Sequence, residues 1–586
     1  MSVGALDETA RLLRFAAGES LRAGWRRMAA LSAVPLQATA RAPDKLLIAP
    51  QDLRTSDPTR AGEIYAGLFA FAGKSLSVDG RSPFRVEPPS PEWAEALHGF
   101  GWLRHLRAAD TTLARANARA LVEEWIALRG GGEPIARAPE VTARRVISWL
   151  CHSPLILDGA DRAFYRRFLR SLARQTRRLG RAGRLAPDGL PRLNVACALA
   201  YAGLCFAGDG RLLKTASAAL AEALERQILP DGGHISRNPA ALVEALLDLL
   251  PLRQAYTARN VRPPQALLNA VDRAMPMIRF FRHGDGAFAQ FNGSGPTQAD
   301  LVATILAYDD ARGPLPEEAP HSGFVRLQAG PTAVIVDVGA PAPLSLSRQA
   351  HAGALSFELS HGPEQVVVNC GAPRFGRAAW GLAPRATAAH TTLVVADTSS
   401  CRFAGERTAG LLGRVVTAGP RTVTAKRERT PGGPRVTATH DGYGRRFGLI
   451  HARTLTLGPA GDRLDGEDAL RPVHAGAQSG ADARIALRFH LHPGVRASVT
   501  QDGQGAVLAP PSGRGWLFSA PGFAVELEES IYLAGAHGPR RTEQIVVHAT
   551  ARGAPLVGWS FRRLEGEPAP ERRPRAMGVA EGPTLI

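Results

Sequence analysis

Residues 348–371, RQAHAGALSFELSHGPEQVVVNCG, contain the pattern on which the fold turns. Leu355, Phe357 and Leu359 alternate with Ser356, Glu358 and Ser360, and a second apolar run, Val366 to Val368, follows a Gly-Pro turn. Side chains of a strand point alternately to its two faces, so a period of two lays one apolar row on a core. The same period returns where Ile485, Leu487, Phe489 and Leu491 alternate with Ala486, Arg488, His490 and His492. Shorter runs at 333–338, 392–395, 415–416, 523–527 and 545–547, separated by Gly- and Pro-containing turns, extend it. Residues 322–565 are therefore expected to form an all-β sandwich or barrel.

Upstream the period changes. Phe100, Leu103 and Leu106, then Leu121, Trp125 and Leu128, then Val146, Trp149 and Leu150 recur at helical spacing. Further helical runs near 162–180, 191–206, 211–228, 240–256 and 264–281 are divided by breaks such as Pro187-Asp188-Gly189 and Pro230-Asp231-Gly232-Gly233. Serial helical hairpins stack as a bundle, a solenoid or an α/α toroid, which periodicity does not separate. This reading gives a partly helical extension over 1–90, a helical domain over 91–311, a Pro- and acid-rich junction at 312–320 (RGPLPEEAP), and a loosely ordered Pro-, Glu- and Arg-rich tail over 566–586.

At 586 residues the chain exceeds what one core usually holds, and 45% hydrophobic with 21% charged residues is a globular composition. The net charge of +18 favours anionic partners such as acidic polysaccharide, nucleic acid or a membrane surface, but no nucleic-acid motif accompanies it. Cysteines at 151, 197, 205, 370 and 401 form neither a CxxC motif nor a disulfide framework. No apolar run is long enough to span a bilayer. Asp7, Glu8, Arg11 and Arg14 occupy the place of a signal peptide's apolar stretch, which reads as cytoplasmic. Thr9 to Ala30 suits a basic amphipathic helix, expected to pack on the helical domain rather than lie on a membrane.

Three segments together resemble the heparinase II/III family: QILPDGGHISRNP at 227–239, the 348–371 stretch quoted above, and RATAAHTTLVV at 385–395, with a weaker echo in HDGYGRRFGLIHAR at 440–453. The resemblance covers roughly 190–586. It implies an (α/α) toroid followed by an antiparallel β-sandwich, with an acidic polysaccharide in the cleft between them and β-elimination at a uronate as the reaction. It also implies a periplasmic or envelope setting, against the export reading. Elimination needs a group that neutralises the carboxylate, a base for the C5 proton and an acid for the leaving oxygen, and no redox cofactor.

The resemblance places Asn194 as the neutraliser. Ala241 stands where the family has its tyrosine, so His234 or Tyr443 is expected to carry the proton. The family's H-x-H-x-D maps to Gln349, His351 and Gly353, leaving His351 as the catalytic candidate and Gln349 as a substrate contact. Arg237, Arg348 and Arg385 are expected to hold carboxylates through paired N–H donors, and Trp380 to stack on a sugar ring. A structural zinc, bound by some family members, would fall to His351, Asn369 and His390. The opposing expectation is a non-catalytic acidic-polysaccharide-binding or envelope-assembly protein on the same fold.

Overall fold

The computed structural model describes residues 10–22, 24, 42–128, 130, 132–309, 313–474, 483–552 and 556–564. The 566–586 tail expected to be loosely ordered lies outside them.

The helical half is built from α1 (Pro91–Gly99), α2 (Thr112–Ala127), α3 (Pro139–Cys151), α4 (Arg162–Ala182), α5 (Leu190–Cys205), α6 (Gly210–Gln227), α7 (Pro239–Ala258) and α8 (Gln265–Phe280). Their starts follow local chemistry. Asp161 caps α4 by accepting hydrogen bonds from Ala163 N and Phe164 N. Asn238 caps α7 by accepting from Ala240 N, with Pro239 at the first helical position, where its missing N–H costs nothing. Apolar faces then meet in one core, in which Phe100, Trp125, Trp149 and Phe168 form a run of aromatic contacts with neighbouring centroids 5.2–5.9 Å apart. Among the described residues no helix is long and apolar enough to cross a membrane.

The strand half holds two large antiparallel sheets and a two-stranded ribbon of Arg402–Phe403 with Val416–Ala418 that is left unnumbered. In chain order its strands are β1 (Glu318–Ala319), β2 (Phe324–Ala329), β3 (Thr332–Asp337), β4 (Phe357–His361), β5 (Glu364–Val368), β6 (Leu393–Val395), β7 (Val423–Thr430), β8 (Gly433–His440), β9 (Leu449–Leu457), β10 (Arg463–Pro472), β11 (Arg484–Leu491), β12 (Arg496–Val499), β13 (Gly505–Ala509), β14 (Trp516–Ser519), β15 (Val525–Tyr532), β16 (Arg540–Thr550) and β17 (Leu556–Arg563). One sheet runs β15-β16-β11-β5-β4-β3-β2-β1, with β6 paired to β11, and the other runs β7-β8-β9-β10-β17-β14-β13-β12. Phe357 and Leu359 of β4 and Ile485, Leu487, Phe489 and Leu491 of β11 form the inward rows that the alternation implied, whereas Leu355, read as part of the strand, joins the same core from a turn at φ +62° just before β4. Phe357 stacks on Trp559 of β17 at 5.5 Å and 7°, joining the sheets through a shared core. Gly466 on β10 makes room for that indole, because a Cβ there would come within 2.1 Å of it. The helical domain followed by an antiparallel sandwich is the architecture the sequence implied.

Two segments depart from expectation. The short strand β1 forms inside the stretch expected as a junction. In the described part of the 9–30 stretch, the helix at 10–22, Phe15 and Ala16 lie against Ala404, Leu412 and Val415 of the strand half, and buried Glu19 accepts a 2.9 Å hydrogen bond from Arg348. Its Leu13 and Leu21 stay exposed, because the helix has more apolar residues than this contact covers.

Candidate cleft between the helical and strand halves

The turn 231–239, which precedes α7, is pressed onto the strand half. Gly233 permits this, since a Cβ there would meet the Ser322 side chain at 2.4 Å, while Gly232 lets the same turn lie against α8, where a Cβ would meet Arg273 O at 1.8 Å. Arg237, with φ at +60°, extends across the seam. Its guanidinium donates to Ser322 O at 2.8 Å, Gly339 O at 3.1 Å, Ala340 O at 2.8 Å and Gly323 O at 3.0 Å, and to the Asp337 carboxylate. The other Asp337 oxygen accepts from Asn292 Nδ2 at 3.1 Å, and Asn292 Oδ1 accepts from His351 N at 3.4 Å. A second strut stands nearby, where His283 bonds Glu358 at 3.0 Å and Ser360 Oγ at 2.8 Å. Glu358 also accepts from Gln290 N and Asn369 N. Both carboxylates are fully enclosed and answered by several donors, the condition under which a buried charge is tolerated.

The expected catalytic histidines, His234 and His351, and His390 of the expected zinc set are all sealed. His234, 2% exposed, bonds Ser236 Oγ at 2.6 Å and Gln227 Oε1 at 3.2 Å, and burial lowers its pKa to about 4. His351 and His390, 4% and 1% exposed, bond each other at 3.0 Å. His390 Nδ1 donates to Ala386 O at 2.8 Å, so its Nε2 accepts the proton of His351 Nδ1. Burial lowers both pKa values, that of His390 to about 4. Asn194 lies half-buried in the first turn of α5. That turn begins at Gly189, where a Cβ would lie 3.0 Å from Leu346 of the strand half and 3.9 Å from the His234 ring.

Several expected roles are corrected by this geometry. Tyr443 is enclosed in the strand core with its phenol donating to Leu393 O at 2.9 Å, and burial raises its pKa, so it is no proton carrier for the cleft. Arg237 spends its donors on the seam. Arg385 does likewise, donating to Ala350 O, Arg414 O and Ser347 O at 2.6–2.9 Å beneath Phe403. Neither guanidinium is open to a substrate carboxylate. Arg348 is half-buried and bonded to Glu19 and Leu412 O. Gln349 is exposed and Trp380 half-exposed, so both are accessible.

The three residues expected to hold zinc do not fit an ion. Asn369 uses both ends of its amide, accepting from Thr391 N and donating to Glu358, while the two imidazoles bond each other directly. A Cβ at Gly353, where the family's aspartate would stand, would lie 2.7 Å from the His390 ring, so the ring occupies the carboxylate's space. Among the described residues the group with converging ligand atoms is Glu526, Glu528 and His548, on the outer strands β15 and β16. The fourth resembling segment supplies a buried network instead: His440 to His451 at 3.3 Å, His451 to Asp468 at 2.6 Å, and Arg453 paired to Asp468 through both carboxylate oxygens.

One residue that sequence reasoning missed is Arg377. It opens the short helix Arg377–Trp380 after Gly376, in a segment rich in arginine and aromatic residues, RFGRAAW at 374–380, and that composition was the available signal. Its Nε donates to Pro373 O at 3.1 Å, and among the described residues no carboxylate pairs with it. The guanidinium lies beside Gly293 and Gly295, whose Cβ positions would be 3.6 and 3.7 Å from Nη1 and Nη2. The Gly293 position also touches Gln349, at 2.7 Å from its carbonyl oxygen.

The family model for the C-terminal domain of heparinase II/III-like proteins matches residues 311–560. FtsZ-localized protein C of Caulobacter vibrioides (strain NA1000 / CB15N) is 35% identical over 536 residues, covering 89% of this chain and 91% of that protein. Among solved structures, heparinase III superimposes with a TM-score of 0.67 at 15% identity, over 90% of this chain and 88% of that one. A mutant of heparan sulfate lyase HepC from Pedobacter heparinus gives 0.61 at 15% identity, over 94% and 89%. At such identity the likeness to the two lyases is one of fold alone.

Proposed function

The chain belongs to the heparinase II/III family, and from that premise we propose that it is a non-catalytic member, a binding protein for an acidic chain that takes up its position with FtsZ. The observation carrying this is the state of the proton carriers. Alanine stands at 241 and glutamine at 349, neither of which transfers protons, and His234, His351 and His390 are enclosed and committed to hydrogen bonds inside the protein. General acid–base catalysis needs a group within reach of the substrate and with a pKa near the working pH. Burial moves these imidazoles away from both conditions. The relative named for its localisation with FtsZ aligns along nearly the whole chain, which supports the positional part of the reading.

The lyase reading, elimination at a uronate, keeps Asn194 as its one support, since an amide in the first turn of α5 suits a carboxylate neutraliser. One experiment separates the two. Purified protein is incubated with a panel of uronate polymers while ultraviolet absorbance follows the unsaturated uronate that elimination creates, and a tagged copy is imaged together with FtsZ in cells. Absence of absorbance change with coincident localisation is expected. A rise in absorbance that Asn194→Ala abolishes overturns the proposal in favour of the lyase.

A further inference from the structure

Strand β15 forms one edge of its sheet, with β16 beside it. Val525 and Leu527 face the core, so Glu526 and Glu528 face out. Antiparallel pairing sets Val546 opposite Glu526 and Gln544 opposite Glu528, which puts His548, two positions past Val546, on the same outer face. From the other side β11 adds Arg488, paired with Val546. Val546 is 0% exposed, covered by the longer side chains around it. Across it the Glu526 and Glu528 carboxylates and the His548 imidazole turn towards one point, each offering a ligand atom within 4.8 Å of the others.

The spacing inside this group suits an ion better than a hydrogen bond. His548 Nε2 stands 3.6 Å from Glu528 Oε1, too far for a hydrogen bond. Two ligands, each ~2.0–2.2 Å from one zinc in a tetrahedron, lie roughly 3.3–3.6 Å apart, which is the separation this pair already has. The Glu528 carboxylate is held in place for it. Its Oε2 accepts from Arg488 Nη1 at 2.7 Å and from Gln544 Nε2 at 3.3 Å, leaving Oε1 towards the imidazole. Gln544, 7% exposed, has its Oε1 buried without a partner beside that carboxylate. Glu526 forms no hydrogen bond or ion pair among the described residues. Two carboxylates on one strand face repel, and Arg488 answers only Glu528. At His351, Asn369 and His390, by contrast, the imidazoles bond each other and the amide is used at both ends.

We propose that Glu526, Glu528 and His548 bind a divalent cation of the zinc class on the outer face of β15 and β16. One imidazole nitrogen with two carboxylate oxygens suits zinc or nickel, whereas calcium and magnesium take oxygen ligands. Glu526 and His548 are exposed, so three protein ligands leave a coordination position open to solvent, as a closed structural site does not. None of the three lies in a segment that carries the family resemblance, and the proposed binding in the cleft uses none of them.

The test is calorimetric titration of the untagged, EDTA-treated full chain with zinc chloride alone. Wild type is expected to show a binding step that Glu526→Gln and His548→Asn each weaken about tenfold or more, since even an outer partner of a metal ligand is worth about ten- to hundredfold. Saturating zinc should raise the thermal midpoint of wild type and leave those of the variants where they were. Equal midpoints of all three chains in EDTA establish that the variants fold. Coincident zinc titrations of wild type and both variants overturn the proposal, as does the absence of any zinc-binding step in wild type. Magnesium or calcium bound as tightly as zinc also overturns it, because the group would then be a plain acidic patch.

Discussion

Arg237 and Arg377 lie on the same seam between helices and strands, and they differ in almost everything else. Arg237 is 8% exposed and donates to four carbonyls and a carboxylate. Arg377 keeps one hydrogen bond and no acid. The same side chain thus serves once as a strut and once as an open cation, and its satisfied donors, not its identity or its place in a motif, tell the two apart. The sealed histidines share with Arg237 only that their ring nitrogens are committed inside the protein, His234 to Ser236 and Gln227 and His351 to His390.

Acid should test the sealed side most severely. His234 and His390 have pKa values of about 4 when folded, and His490 about 3, against an ordinary 6.5 when unfolded. Between those values the unfolded chain binds more protons, so stability falls as pH drops from about 6.5 towards 4 and is flat above. Each such histidine contributes roughly 1.4 kcal/mol per pH unit in that window. Denaturant midpoints measured across it should fall steadily, and a flat profile would mean that these rings are not enclosed. Next in size, Arg237→Ala leaves Asp337 buried without its partner and should cost about 3–5 kcal/mol, read from the first unfolding transition. A shift near zero would deny the seam its role. Gly353→Asp places a side chain against the His390 ring and should cost roughly 1–3 kcal/mol, and full tolerance would show that the ring moves aside freely. Tyr443→Phe removes one buried hydrogen bond, to Leu393 O, and should cost about 0.5–1.5 kcal/mol without altering glycan binding. Smallest of all, Arg377→Gln should leave stability within about 0.5 kcal/mol, because almost nothing in the protein depends on that guanidinium.

Periodicity in the sequence determined both halves. The alternation at 355–359 and 485–491 could only pay off on a sheet with one apolar face, and the helical spacing before residue 310 required helices stacked side by side. The resemblance joined these into a toroid and a sandwich, and the substitutions at 241, 349 and 353 were visible as letters. Tertiary structure alone decided which polar residues are spent. Arg237 and Arg385 sit in recognised segments, yet their donors are used by carbonyls from elsewhere in the chain, as far as 103 positions away for Arg237. Arg377 sits between the segments and remains open. Tyr443 looked available in HDGYGRRFGL and is buried beneath β6. Local sequence sets which face of an element is apolar, whereas long-range hydrogen bonding sets which charge is left over, and no pattern within one segment records what a distant segment brings to it.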